Sequence, residues 1–373
     1  MLGENNSPFA AIAFEQIHRD GDPMAVIAIR GSFKLDSDGS LHIADKQAIV
    51  LADEYEGPAQ TSQLVKVSDL VPFKPATDIT VLGHAYAPEQ YDTAWQFGVT
   101  IANKSYLLHC HGEREWIATK RDWQGISRGA DPHAASGHHW QLTTTASLAQ
   151  VPLDYALAAG GEVIGARRHE VDLRNPRGCG LLHPDLRTHG ESFPAPAIDS
   201  ESAPVESPFK APEPQGTAPV PPWWAWRQRY VGTYDEIWKR ERHPRLPEDF
   251  DYHFYQCAHP NLIWDGYLNG AERVQLHRLT ADQPSLTFVL PDVVPVARFL
   301  WRDEREVVAR LNLDGVYIDM RGEPPWQVDL TWRGWIVTCP QFLRIDIKLV
   351  RLGHPVLPDL PSIGEAGLEE AST

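Results

Sequence analysis

Ser127 lies in GISRG, residues 125–129, the G-x-S-x-G spacing that holds a serine nucleophile on a sharp turn between a buried strand and a helix. Here KRDWQ precedes it and ADPHAASGHH follows it, which offers neither an apolar strand nor an apolar helix, so the match reads as chance. His109, Cys110 and His111 are consecutive. In a strand the two imidazoles share a face, as a pair of metal ligands would, while Cys110 points the other way. Further ligands would have to come from His133, His138 or His139 in the next loop, whereas closed zinc sites carry paired ligands at tight spacing. A surface strand bearing histidines is the simpler reading, and no metal or cofactor is expected. Acidic groups cluster at Asp53 with Glu54, at Asp235 with Glu236, and at Glu248 with Asp249 and Asp251. A glycosidase needs two carboxylates about 5 to 10 Å apart across a cleft. Caps, turns and ion pairs with Arg240 or Arg242 account for these residues without catalysis, so the chain is expected not to be an enzyme.

The aromatic residues carry more information. Of 13 tryptophans, Trp223, Trp224, Trp226, Trp238, Trp264, Trp301, Trp326, Trp332 and Trp335 fall in the second half. Large, stiff, amphipathic rings serve both β cores and protein-binding hot spots. Trp223, Trp224 and Trp226 put three indoles within four residues, which cannot all face one core direction, so at least one is expected at an interface. With Tyr230, Tyr234 and Trp238 they form the candidate partner surface. A competing reading uses the same indoles as sugar-stacking platforms in a carbohydrate-binding or carbohydrate-active β-sandwich.

The elements that must position these residues read as mainly β, in antiparallel sandwich-like halves with a few short helices and long loops. FAAIAFEQIH, MAVIAIRGSFKL and LHIADKQAIVL form a meander with a tight turn at Asp38-Gly39. DITVLGHAYA, WQFGVTIANKSYLLHCHG and REWIAT continue it, and β patterning returns from Arg273 to Leu352 with hairpins expected at Asp314-Gly315 and Arg321-Gly322. Residues 122–140 read as a surface loop. A short helix is expected near 233–242, with Thr233 and Glu236 as a capping box and His243-Pro244 as its stop. The segment 191–222 is dominated by Pro, Ala, Ser and Glu and reads as an extended linker or surface excursion. The expected organisation is an N-terminal antiparallel region over 1–150, a connecting segment over 151–222, a C-terminal β region over 223–352 and a disordered tail over 353–373. The two β regions could share one sandwich or stand apart.

The chain has 373 residues, with 34 Lys and Arg against 50 Asp and Glu, for a net charge of −16. That charge repels a phosphate backbone, so nucleic acid is not an expected partner. Cys110, Cys179, Cys257 and Cys339 are widely spaced and read as reduced thiols. Glu4 stands where a secretory leader would be basic, and no run of about 18 uncharged apolar residues occurs, so a cytoplasmic protein that is not membrane-integral is expected.

Two segments are too particular to be generic core. Leu51 to Pro88 places Asp53, Tyr55, Ser68, Asp69, Pro72, Lys74, Pro75, Thr77, Asp78, Gly83 and Tyr86 at defined offsets. Tyr230 to Gly266 does the same with Gly232, Thr233, Tyr234, Asp235, Trp238, Asp249, Phe250 and Gly266, followed by Tyr267. Together they resemble the DUF2169 family, over about Ala25 to Trp335. The resemblance implies an adaptor or chaperone for a type VI secretion effector, commonly one carrying a PAAR tip domain, that helps mount it on the VgrG spike. The shared positions would then be either client-binding or architectural, since Asp, Pro and Gly at fixed offsets also set turns and caps.

Overall fold

The computed structural model describes residues 1–89, 92–120, 138–186, 191–354, 357, 360 and 361. The serine of GISRG, the loop through residue 137 and the whole tail beyond residue 361 lie outside the described residues, as do the side chains of His138 and His139.

The chain is mainly β, and its sheets mix both ends of the sequence. Pro23–Leu35 is the longest strand, 13 residues of which 11 are buried. A near-continuous apolar run marks a strand covered on both faces. It pairs antiparallel with Ala10–Ile17 on one side and with Trp326–Val337 on the other. Asn312–Asp319 follows, then Asp78–Leu82, which runs parallel to it; Leu41–Ile43 extends the row beside Phe33. A second, five-stranded antiparallel sheet runs Ile198–Asp199, Lys104–His111, Ala94–Ile101, Arg273–His277 and Ser285–Val289. A third contains Leu2–Asn6, Phe342–Arg351, Val293–Trp301 and Glu306–Arg310. Inner residues of all three meet in one core, among them Ile27, Ile29 and Leu330 of the first, Phe97, Val99 and Leu276 of the second and Phe299 and Ile347 of the third. The sandwich is thus composite, built from residues before 150 and after 223 alike.

Two features correct the sequence reading. The Pro-rich segment 191–222 is not a linker: Ser192–Ala195 and Ile198–Asp199 are strands, and residues 214–220 are buried. Its backbone groups find fixed partners, Val81 N–H donating to Thr217 O and Val220 N–H to Cys257 O, at 2.8 and 2.7 Å. Small Pro, Ala, Gly and Val residues let this backbone lie close against its neighbours, a tertiary gain that composition does not show. Asp314-Gly315 is not a hairpin but a register shift inside Asn312–Asp319. Such a bulge re-aims a side chain, here Asp314. The Asp38-Gly39 and Arg321-Gly322 turns fall between paired strands as expected.

Candidate functional site

Side-chain alternation brings the charged residues of the central sheet onto one face. Arg30, Asp329, Thr331, Arg333, Tyr317, Asp78 and Thr80 share it by register, opposite the face that carries Ile27, Ile29 and Leu330. The Leu51–Pro88 segment folds over this face. Arg30 bridges Asp69 at 3.0 Å and Asp329 at 2.7 Å, while Arg333 pairs with Asp314 and donates to the backbone carbonyl of Asp69 at 3.2 Å. Lys74 Nζ lies 2.8 Å from Asp78, and all seven charged groups are buried. A cavity of about 40 Å³, the size of a single water, lies between Arg30, Asp69, Lys74, Asp78, Cys257 and Arg333.

The second segment closes the network. Asp78 accepts Gln256 Nε2 at 2.8 Å, Cys257 N–H at 2.9 Å and Ala258 N–H at 3.1 Å. Burial alone would raise the Asp78 carboxyl; the Lys74 ammonium and these donors outweigh it and hold it below the usual carboxylate range. Asp314 goes the other way. Its burial outweighs Arg333 and raises it, and its Oδ1 has no hydrogen-bond partner. Burial, with the Asp78 charge alongside, pushes the Cys257 thiol up to about 12.

The remaining positions of the first segment set the chain path. Asp53 accepts Ser68 N–H at 2.9 Å, and Pro72 is buried beside Phe73. Gly83 has φ +151°, where an added Cβ would stand 2.8 Å from Met320 Cβ. Tyr86 donates its backbone N–H to Arg278 O at 2.8 Å, and Tyr267 Oη donates to Lys74 O at 2.6 Å. Thr77 N–H donates to Gly266 O, so the end of the second segment lies against the first.

The aromatic stretch divides between inside and outside. Trp224 is fully buried against Tyr155, and Trp226 is buried with its indole donating to Glu213 at 2.6 Å, so these two are removed from the expected partner surface. Trp223 is 36% exposed, stacks edge-on against Trp224 and reaches Tyr55. The split falls in the turn that precedes the four-residue helix Ala225–Gln228: Trp224 is the extended residue that caps the helix, and of the three indoles Trp226 alone lies within it. Tyr230 packs on His253 and under Arg229.

The helix expected near 233–242 spans Glu236–Glu241, and its cap is Asp235, which accepts Trp238 N–H at 2.8 Å. Thr233 is not the cap. It binds Asp249 instead, through its N–H at 2.9 Å and its hydroxyl at 2.7 Å, with Gly232 at φ +79° making the bend. Phe250 anchors the loop in a core with Met24, Phe73 and Trp335. None of the helix residues is buried; Tyr234 is 50% and Ile237 58% exposed, with Tyr234 packed edge-on against Trp238 at 4.5 Å.

His109 and His111 do share the outer face of their strand, both beside Asp199, with Cys110 buried behind. Arg114 completes that group at 3.0 Å from Asp199. Eight of the twelve described tryptophans are buried, which leaves few indoles for stacking on a sugar. The sequence reading missed Arg30, Asp329 and Arg333. Their signal was a charge inside an apolar strand run, with Asp329 and Arg333 four residues apart and so on one face.

A family model described as "Uncharacterized protein conserved in bacteria (DUF2169)" matches residues 20–333. No curated protein and no solved structure matches the chain.

Proposed function

The chain belongs to the DUF2169 family, and we propose that it is a non-enzymatic adaptor and chaperone: it binds a type VI secretion effector, one bearing a PAAR domain, keeps it soluble in the cytoplasm and promotes its loading onto the VgrG spike. The observation that carries this reading is the helix Glu236–Glu241, which buries none of its own residues and turns Tyr234 and Ile237 to solvent beside Trp238. A short helix held out by an Asp cap and an Asp249 clasp contributes little to the core; the exposed tyrosine just before it and the exposed isoleucine on it are suited to a partner. Trp223, with Tyr55 beside it, adds a second exposed aromatic on the same chain segment. The buried network of Lys74, Asp78 and Gln256–Ala258 is the support that fixes where this segment leaves the core.

Among the described residues no helix is long and apolar enough to cross a membrane. Co-expression with a PAAR-bearing effector from the same bacterium tests the proposal. The effector is expected to become soluble and to co-purify, and Tyr234→Ala with Ile237→Asp is expected to reduce capture while the adaptor stays folded. An effector equally soluble without the protein, and not retained by it, would overturn the reading.

A further inference from the structure

Residues 233–249 form a surface loop whose ends meet and whose side chains pack on one another. The Thr233–Asp249 clasp, with bonds of 2.9 and 2.7 Å, closes its base. Within residues 233–245 only Trp238 and Arg242 are half-buried, and the rest are exposed. Trp238 serves the loop itself: its ring packs on Tyr234 and His243, and its indole N–H donates to Arg245 O at 2.9 Å. Arg242 instead reaches out to the body of the protein. Its Nη2 donates to Arg19 O at 2.7 Å, while its Nε donates to Leu246 O at 3.1 Å. Both acceptors are backbone carbonyls, so the contact needs a planar fork with fixed N–H directions rather than a point charge.

The turn that receives Arg242 is itself fixed. Arg19 N–H donates to Tyr252 Oη at 3.2 Å, and Arg19 Nη1 to Phe250 O at 3.1 Å. His18 is buried and stacks on Tyr252 and Trp335. Gly21, at φ +104°, brings the turn against Arg245, where an added Cβ would stand 2.9 Å from Nη1. We propose that Arg242 is the positioning residue of the exposed apolar pair: it seats the 233–249 loop on the turn at residues 18–22 and so fixes the direction in which Tyr234 and Ile237 face. The helix Glu236–Glu241 cannot do this alone, since its six residues fall well below the roughly 12 at which an isolated helix becomes even marginally stable. An anchor already held in place gives up less freedom on binding than one on a swinging loop. In taking an exported effector as the partner the inference rests on the adaptor reading; the seating itself does not.

The test uses the full chain with Arg242→Met, which keeps the stem but removes both bonds, and Arg242→Lys, which keeps the charge but loses the fork. Arg242→Met is expected to leave the melting midpoint near that of the native chain and to speed amide hydrogen exchange at residues 236–241 about tenfold or more, with Arg242→Lys in between. Exchange unchanged there, or raised across the whole chain with a lowered midpoint, would overturn the seat. Effector capture is then measured in a cycle with Ile237→Asp. Arg242→Met is expected to weaken capture about tenfold in the native background and to add nothing once Ile237 is replaced, whereas a residue acting on overall folding would weaken both alike. Equal losses in the two backgrounds would overturn the positioning role. If exchange rises as expected while the native chain captures no effector, the seat stands and the adaptor reading falls.

Discussion

The Asp78 carboxylate accepts the backbone N–H of Cys257 at 2.9 Å across 179 residues of chain. With Lys74 on its other side, this contact joins the two distinctive sequence segments at one buried point. A buried pair contributes little net stability while intact, but removing one member strands the other charge away from water.

Asp78→Asn is therefore expected to destabilise the fold by about 3–5 kcal/mol, and Lys74→Met with Asp78→Leu by clearly less. Urea unfolding of the two variants checks this; a double variant as weak as the single one would contradict it.

The same pair sets a pH dependence. The folded-state value of Asp78 lies below its ordinary 3.8, so the stability it contributes is present above 3.8 and is lost as pH falls through the folded value. Asp314, raised by burial, acts oppositely: its contribution is full below 3.8 and lost as pH rises through its elevated value. Unfolding midpoints taken from about pH 2 to 6 should show a shallower acid limb in Asp78→Asn than in the native chain.

Trp223 and Trp224 are adjacent but unlike. Trp224→Ala should cost about 3–5 kcal/mol, as expected for a fully buried indole. Trp223→Ala should cost clearly less, about 1 kcal/mol, because Trp223 is 36% exposed and only one side of its ring packs on Trp224 and Tyr55. Thermal melts of both variants, with effector capture measured alongside, separate support from contact.

Cys257 should resist alkylation in the native protein at pH 8, since burial and the neighbouring Asp78 charge push its thiol up to about 12. Mass mapping after iodoacetamide treatment should find it modified only once the chain is unfolded.

Gly232→Ala should destabilise by about 1–3 kcal/mol, because φ +79° is a left-handed conformation and the added Cβ would stand 2.9 Å from Asp249 Oδ1. Loss of the Thr233–Asp249 clasp should also release Tyr234 and the helix that carries Ile237, seen as faster amide exchange at residues 235–241.

The β class, most strand positions and the Asp38-Gly39 and Arg321-Gly322 turns were legible in sequence because alternation and turn chemistry are local. So was the common face of His109 and His111, which follows from strand period alone. The Asp235 cap lay two residues from the expected Thr233, a shift decided by Asp249, which is distant in sequence and draws Thr233 away. The Pro-rich segment 191–222 was misread because its ordering depends on neighbours such as Val81 and Cys257 that composition does not reveal.

The β character, the net acidity and the two distinctive segments were set in the sequence, since periodicity, charge and residue type need no knowledge of distant neighbours. Strand order and register, by contrast, place Asp69, Lys74 and Asp78 with Arg30, Asp329 and Arg333 at one sheet face and turn Trp224 and Trp226 inward. Those facts depend on strand order and register between residues far apart in the chain, where a shift of one residue would reverse every side chain to the opposite face.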